Sequence, residues 1–190
     1  ASSSSVYGNQ NGVMHEETSI PRPLSPYGVT KLASENLGLL YEKNYQLPVI
    51  ALRYFSVYGP RQRPDMAFCR FFNAILNQKE ITIFGDGRQE RDFTHVNDIV
   101  SATFHASQFN DQGTVLNIGG GHVISMKEII KIIQDIVKTE FSTSFTERQL
   151  GDVKRTEADI SKAKKLLNYN TKTRIIDGLT DEYENIKSNL

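Results

Sequence analysis

Two stretches, Ser25-Pro-Tyr-Gly-Val-Thr-Lys31 and Pro48-Val-Ile-Ala-Leu-Arg-Tyr-Phe55, decide the fold class of this chain. Ser25 is a candidate N-cap and Pro26 suits the first helical position, so a helix is predicted from Ser25 to Gln46. The second stretch is a short run rich in apolar and aromatic residues, bounded by turn residues, which is typical of a buried strand. A helix that leads into a buried strand is the repeating unit of an α/β fold.

Further helices and strands alternate along the chain. Helices are predicted over 68–78, from Asn97 or Asp98 to Gln108, from the Ser125–Glu128 capping box onward, from Asp159 through Leu167, and over 175–187. Strands are predicted over 81–84 and 114–118, with a turn at 85–87 between them. This alternation favours an α/β fold with parallel strand pairing.

Composition excludes several classes of function. The 190 residues carry 22 Lys and Arg against 22 Asp and Glu, so the net charge is zero and nucleic acid is not an expected partner. No segment has the apolar length of a membrane helix or the features of a signal peptide, and Cys69 is the single cysteine. The histidines have no ligand-like spacing. We therefore expect a cytoplasmic protein without a membrane or metal partner.

Tyr27 and Lys31 are the first candidates for chemistry. They lie four residues apart in the predicted helix, so their side chains share one face. A free tyrosine, with a pKa of about 10, is a poor base at neutral pH, and a nearby ammonium favours the phenolate. Such a pair suits proton removal from a sugar or alcohol hydroxyl. Tyr183 and Lys187 have the same spacing with nothing around them that suggests chemistry, so the spacing alone is a weak signal.

The surroundings of Tyr27 carry a resemblance to a known family. The chain resembles the extended short-chain dehydrogenase/reductase family, specifically its nucleotide-sugar epimerases and dehydratases. The matching segments are Ser2-Ser-Ser-Ser-Val-Tyr-Gly8, Ser25-Pro-Tyr-Gly-Val-Thr-Lys31, Leu52-Arg-Tyr-Phe-Ser-Val-Tyr-Gly-Pro60, Gly85-Asp-Gly87 with Arg91-Asp-Phe-Thr-His95, Asn117-Ile-Gly119, and Gly151-Asp-Val153 with Ala158-Asp-Ile-Ser-Lys162. The combination is far more specific than any single motif.

The resemblance also implies which part of the fold is represented. In that family a glycine-rich turn after the first strand holds the dinucleotide, and the glycine cluster here, 119–121, comes too late in the chain to be that turn. We therefore expect the C-terminal part of such an enzyme, inactive alone, with Ala1 to Val6 as the end of a strand. The implied architecture is an incomplete Rossmann-type parallel sheet (1–58 and 93–119) plus a smaller α/β nucleotide-sugar substrate domain (59–92 and 120–190).

The resemblance implies the catalytic residues Ser3, Tyr27 and Lys31, with NAD as cofactor. Ser4 and Ser5 stand where the resembling dehydratases carry Asp-Glu and where decarboxylases carry a Glu at the second position. Because serine is not a useful acid or base near neutral pH, both of those reactions are disfavoured. Epimerisation through transient oxidation at C4 needs only Ser3, Tyr27, Lys31 and NAD.

The segments 61–67 and 149–153 and the hydroxyl of Ser56 make the chain most similar to UDP-glucuronate 4-epimerases, which usually have Thr at the position of Ser56. The sugar carboxylate is expected to bind the hydroxyls of Ser4, Ser5 and Ser56 together with backbone N–H groups. UDP-glucose or UDP-N-acetylhexosamine 4-epimerase is the alternative within enzymes. A non-catalytic half-protein that binds a nucleotide sugar or a partner chain is the alternative outside them.

The resemblance further places Arg91 on the diphosphate, Arg63 on the diphosphate or the sugar, Asp152 near the ribose, Phe84 on the uracil and Tyr54 beside the nicotinamide. Four of these residues have a structural alternative. Phe84 and Tyr54 suit a protein core, Asp152 a turn, and Arg91 an ion pair with its neighbour Asp92. Related enzymes pair through the helix 25–46, so a homodimer is expected of the complete enzyme.

Overall fold

The computed structural model describes residues 1–109, 113–149 and 151–189. The strands are β1 (Ser2–Ser3), β2 (Ile50–Tyr54), β3 (Val57–Tyr58), β4 (Ile81–Phe84), β5 (Glu90–Asp92), β6 (Thr94–His95), β7 (Thr114–Ile118), β8 (Val123–Ser125) and β9 (Thr143–Thr146). The helices are α1 (Pro26–Tyr45), α2 (Ala67–Leu76), α3 (Val96–Ser107), α4 (Met126–Val137), α5 (Ser161–Leu167) and α6 (Ile175–Lys187), with a 3₁₀ turn at Ser4–Val6. The predicted α/β class is confirmed.

The main sheet is parallel and has the strand order β1-β2-β7. Ser3 pairs with Tyr54, which in turn pairs with Ile118. The strand predicted over residues 1–6 is therefore present only at residues 2–3, because Ser4–Val6 form a 3₁₀ turn. Because parallel strands end at the same edge of a sheet, the residues that follow Ser3 and Tyr54 meet there, which is where ligands bind in open α/β sheets.

Helix α1 begins as its sequence predicts. The Ser25 hydroxyl accepts a hydrogen bond from the Gly28 N–H at 3.1 Å, and Pro26 occupies the first turn. The helix ends at Gln46 in a left-handed conformation. A Cβ at Gly28 would lie 2.6 Å from the carbonyl oxygen of Ser5, so the absence of a side chain lets α1 approach the Ser4–Val6 turn.

A buried polar network holds α1 against the sheet. Glu35 forms an ion pair with Arg53, whose Nε lies 3.0 Å from the carboxylate, and the Ser2 hydroxyl donates to the same carboxylate at 2.8 Å. Arg53 also donates to the Tyr7 hydroxyl, which donates to Asn117 at 2.7 Å. A buried charge pair needs this degree of hydrogen bonding to offset its desolvation. The network therefore determines how α1 lies relative to β1.

The apolar residues form two cores. The first contains Val6, Tyr7, Phe55, Leu116 and Ile118 from the start of the chain and the main sheet, with α3, α5 and residues 158–169 around them. The second lies between α2, β4, α4 and α6. The division into two domains at the predicted boundaries stays a prediction, and the packing joins residues 158–169 to the core of the main sheet.

Two predicted helix starts are wrong. Helix α3 is capped by His95, whose side chain accepts from the Asn97 N–H at 3.3 Å, and not by Asn97 or Asp98. Asp98 is buried and accepts instead from the backbone of the segment before α6. Helix α5 starts at Ser161 and not at Asp159, because the Asp159 carboxylate accepts from the Ser161 N–H at 2.7 Å ahead of the first turn.

The remaining predicted elements occur within one to two residues of their expected ends, including the Ser125–Glu128 capping box. Strands β3, β5, β6 and β8 are not predicted by the sequence, since runs of two or three residues have no periodicity to detect, and neither is the four-residue strand β9, which is mostly polar. Within the described ranges, no helix is long and apolar enough to cross a membrane.

Candidate active site

A cleft of about 760 Å³ opens where β1 and β2 end. Its walls come from the start of the chain, from the first turn of α1, and from the segment after β2. The predicted site residues that line it are Ser3, Ser4, Ser5, Tyr27, Tyr54, Ser56 and Arg63. The fold therefore brings seven of the predicted residues into one space.

Tyr27 lines this cleft, and Lys31 lies beside it without being one of the residues that line the cleft. The Lys31 Nζ is 5.8 Å from the centre of the Tyr27 ring and donates to the carbonyl oxygen of Ala1 at 3.0 Å. The Tyr27 side chain lines the cleft and is 54% exposed. The lysine thus ties the face of α1 that carries Tyr27 to the first residue of the chain, directly before β1.

Ser3 faces the same cleft from the end of β1. It is buried, its hydroxyl accepts from the Ser5 N–H at 3.2 Å, and it donates to the Ser5 hydroxyl at 3.1 Å. These bonds make Ser3 the N-cap of the Ser4–Val6 turn. The serine run is therefore an ordered turn whose hydroxyls are presented by backbone geometry.

Tyr54, at the end of β2, also lines the cleft. Its hydroxyl lies 2.8 Å from the Thr103 hydroxyl, and Thr103 in turn donates to the Ile99 carbonyl. The Tyr54 hydroxyl is therefore the donor to Thr103. This tyrosine is a partly buried strand residue with one face toward the cleft, so both of its predicted roles remain compatible with its position.

Phe84, Arg91 and Asp152 line a second, smaller cavity of about 230 Å³, together with Ser56. A third cavity of about 180 Å³ is lined by Ser4, Ser56, Arg91 and Asp152. Because Ser56 lines all three, the cavities adjoin one another at this residue. The predicted nucleotide residues therefore lie next to the predicted sugar and catalytic residues.

Arg91 forms an ion pair with Asp152 and donates to the Val153 carbonyl at 2.6 Å. Burial lowers the pKa of the Arg91 guanidinium, and the Asp152 carboxylate opposes that change. The alternative of an ion pair with Asp92 is wrong. Asp92 is fully buried and accepts from the backbone N–H groups of Gly120 and Ala158, and burial raises its pKa to about 6.

Arg70 is a site residue that the sequence did not single out. It projects from α2 into the second cavity, and its guanidinium lies 5.2 Å from the centre of the Phe84 ring. An isolated arginine on an amphipathic helix gives no sequence signal, because it meets Phe84 only through the packing of α2 on β4. Arg63, in contrast, forms an exposed ion pair with Asp65 at 2.8 Å.

Among the described residues, no group of three or more His, Cys, Asp or Glu side chains is arranged to hold a metal ion. His15 instead pairs with Asp159 at 2.8 Å.

Several known proteins are similar to this chain. YtcB of Bacillus subtilis (strain 168), named an uncharacterized UDP-glucose epimerase, is 46% identical over 189 residues, which are 99% of this chain and 60% of that protein. A UDP-glucuronate 4-epimerase of Thermodesulfobacterium geofontis (strain OPF15) is 43% identical over 94% of this chain and 55% of its own length.

Among solved structures, the UDP-glucuronic acid 4-epimerase of Bacillus cereus in complex with UDP-glucuronic acid and NAD superimposes with a TM-score of 0.95 at 46% identity. That match covers all of this chain and 60% of the other. The chain thus spans 55% to 60% of the length of these relatives. Residues 1–119, more than half of the chain, match the model of the NAD dependent epimerase/dehydratase family, and the chain belongs to that family.

Proposed function

We propose that this chain carries the acid–base and sugar-binding side of an NAD-dependent 4-epimerase whose substrate is UDP-glucuronate. One observation carries the proposal: Ser3 and Tyr27 face a single cleft, with the Lys31 ammonium beside the tyrosine ring. The names of the relatives, a UDP-glucose epimerase and two UDP-glucuronate 4-epimerases, support the reaction class.

In the proposed reaction Tyr27 takes the proton of the sugar 4-hydroxyl and later returns it. Ser3 hydrogen-bonds the same hydroxyl and orients it, and Lys31 keeps a positive charge beside the phenol. General acid–base catalysis by a positioned side chain contributes about 10²- to 10⁴-fold in rate. Epimerisation follows when the 4-keto sugar rotates in the cleft, so that hydride returns to the opposite face of C4.

The chemistry of the donors fits one end of NAD. Tyr27, Lys31 and Tyr54 provide two hydroxyls and an ammonium at or beside the cleft, and such groups suit the hydroxyls of a ribose. When bound, NAD supplies the acceptor and donor of the hydride at C4. The role of the protein residues is to hold the sugar and to move its proton.

The lining of the cleft favours epimerisation over water elimination. Among the described residues that form it, none carries a carboxylate, while Arg61 and Arg63 both line it. A dehydratase needs an acid and a base next to the sugar, and Ser4 and Ser5 provide neither. The same lining suits an anionic sugar, because no negative charge opposes it.

The hydroxyls of Ser4, Ser5 and Ser56 support glucuronate as the sugar. All three serines line both the cleft and the smaller cavity beside Arg91. Hydrogen bonds to a carboxylate are stronger than those between neutral groups. Held in this way, the carboxylate of the 4-keto intermediate, which is a β-keto acid, stays in place while the ring turns.

Phe84, Arg91 and Asp152 are proposed to bind the UDP portion, with Phe84 against the uracil and Arg91 toward the diphosphate. A guanidinium matches phosphate oxygens in a bidentate manner. The ion pair between Arg91 and Asp152 sets where the guanidinium lies, and Arg63, itself paired with Asp65, lines the cleft on the sugar side.

Two copies of the complete enzyme are proposed to pair through α1. The face of this helix that points away from the sheet exposes a set of large apolar side chains, namely Val29, Leu37, Leu40, Tyr41 and Tyr45. Contiguous exposed apolar surface of this kind marks interaction sites.

The decisive experiment is product analysis. A chimaera in which the N-terminal part of the B. subtilis relative precedes this chain is incubated separately with UDP-glucuronate, UDP-glucose and UDP-N-acetylglucosamine, and the products are identified by NMR. We expect UDP-galacturonate from the first substrate and slower or no turnover of the others. Faster conversion of UDP-glucose would favour the alternative epimerase. Binding without any product would favour a non-catalytic half-protein.

A further inference from the structure

The loop of residues 59–63, here called the rim loop, forms one wall of the cleft. Its backbone is unusual at two positions. Gly59 has a φ of +126°, where a Cβ would lie 2.8 Å from His95 Nε2, and Arg61 has a φ of +65°. A left-handed conformation at a residue other than glycine costs about 1 kcal/mol or more, so the surrounding structure must hold it.

Helix α6 supplies the groups that hold this backbone. The Gly59 N–H donates to the Glu182 carboxylate at 2.9 Å, and the Arg61 N–H donates to the Asn185 side-chain oxygen at 3.2 Å. Residues three apart on a helix share one face, so both acceptors point toward the same loop. The Glu182 side chain thus binds the backbone of Gly59, and the Asn185 side chain binds the backbone of Arg61.

The burial of Glu182 is difficult to explain by stability alone. Its side chain is fully buried, and its second oxygen, Oε1, has no hydrogen-bond partner among the described residues. A buried carboxylate with a single backbone partner is costly, and an apolar residue of similar size would stabilise the fold more. The neighbouring residue Leu179, on the same helix, is fully buried in the second core as expected.

We propose that Glu182 and Asn185 are positioning residues for the cleft. They hold the rim loop in its left-handed conformation, so that Arg61 and Arg63 are presented to the sugar end of a bound UDP-sugar. This role rests on the proposed function of the cleft. It predicts that changes in α6 alter affinity for the sugar part of the ligand more than affinity for the nucleotide part.

The test compares two ligands in the 190-residue chain. Binding of UDP-glucuronate and of UMP, which lacks the β-phosphate and the sugar, is measured by calorimetry and NMR titration. For Glu182→Ala and Asn185→Ala we expect about three- to tenfold weaker binding of UDP-glucuronate, the effect of one lost hydrogen bond. Binding of UMP should change by less than about twofold.

Two controls separate positioning from folding. Glu182→Gln keeps an oxygen acceptor for Gly59 and should retain most of the affinity, and Glu184→Ala, at an exposed position of α6, should behave as the parent chain. Amide hydrogen exchange at Gly59 and Arg61 should become faster in the two alanine variants that weaken binding. If Glu182→Ala does not fold, Asn185→Ala, at a half-buried position, still tests the role.

The outcomes distinguish the two proposals. If the parent chain binds UDP-glucuronate no more tightly than UMP, both the proposed function of the cleft and the positioning role are wrong. Suppose instead that the parent chain binds UDP-glucuronate more tightly than UMP. If the alanine variants then weaken the binding of both ligands equally, or of neither, only the positioning role is wrong.

Discussion

Helices α1 and α6 each place a tyrosine and a lysine one turn apart, but Tyr27 of α1 lines a cleft whereas Tyr183 of α6 packs against the second core. The Lys31 Nζ lies 5.8 Å from the centre of the Tyr27 ring, and the Lys187 Nζ lies 5.6 Å from that of Tyr183. The local geometry of the two pairs is therefore nearly identical. What differs is what each helix packs against.

Tyr27 lines the same cleft as Ser3, where two parallel strands end, and is more than half exposed. Tyr183 packs against Phe72 with ring centres 5.4 Å apart, at the margin of the second core. A tyrosine and a lysine at helical spacing thus form a candidate catalytic pair only where the strands bring a hydroxyl group and open space to them.

Buried glutamates show a second contrast between these helices. Glu35 of α1 is paired with Arg53 and accepts from Ser2. Among the described residues, Glu182 of α6 accepts only from the Gly59 N–H, and burial raises its pKa to about 7. The Glu35 carboxylate is paired and hydrogen-bonded within a network, whereas burial of the Glu182 carboxylate lowers the stability of the fold.

The largest expected effect is on turnover. In the chimaera, Tyr27→Phe should lower kcat by about 10²- to 10⁴-fold, because it removes the proposed base. Tyr183→Phe should change kcat by less than about twofold, because this tyrosine packs against Phe72 and the second core. Steady-state rates with UDP-glucuronate measure both. Equal losses in the two variants would mean that the position of the pair does not matter.

The next effect is on the free energy of unfolding, which a glutamate-to-glutamine substitution should lower in α1 and raise in α6. Glu35→Gln should lower the free energy of unfolding by about 3 kcal/mol, because it leaves Arg53 without its charge partner. Glu182→Gln should raise it at pH 8, by up to about 3 kcal/mol, because the parent keeps a carboxylate that prefers to be protonated when folded.

The pH dependence of the Glu182→Gln effect follows from the direction of the pKa shift. The pKa is raised from 4.5 when unfolded to about 7 when folded, so the folded chain binds more protons between these values. The free energy of unfolding of the parent therefore falls as the pH rises through this range. The difference between variant and parent should be small at pH 4.5 and full above pH 7. Urea unfolding at pH 5 and pH 8 measures it, and an equal difference at both would contradict the assignment.

The smallest effect concerns the helix starts. Ser25→Ala should lower the free energy of unfolding by about 1 kcal/mol, because it removes the cap on the Gly28 N–H. Arg174→Ala, at the N-cap of α6, should cost less than about 0.5 kcal/mol, because Arg174 makes no capping bond and its ion pair with Asp177 is exposed. Thermal unfolding of the two variants tests the difference. Equal losses of free energy of unfolding would show that the Ser25 cap does not stabilise α1 more than Arg174 stabilises α6.

Sequence by itself determined the elements whose signals lie within a few residues. The Ser25 cap, the Ser125–Glu128 capping box and the apolar run of β2 each contain their own physical cause, namely satisfied N–H groups or a buried face. The start of α3 shows the limit of this reasoning. Asp98 is a good capping residue locally, but bonds to a segment more than seventy residues away remove it from that role.

Tertiary structure alone decided which side chains meet. Arg91 and Asp152 are 61 residues apart in sequence, and their ion pair depends on how distant segments pack. The same is true of Arg70 over Phe84 and of Glu182 under Gly59. Residue type and spacing predicted the chemistry of Tyr27 and Lys31, because helix geometry is local. The cleft that Tyr27 lines depends on the parallel pairing of β1 with β2, a long-range contact that no short pattern encodes.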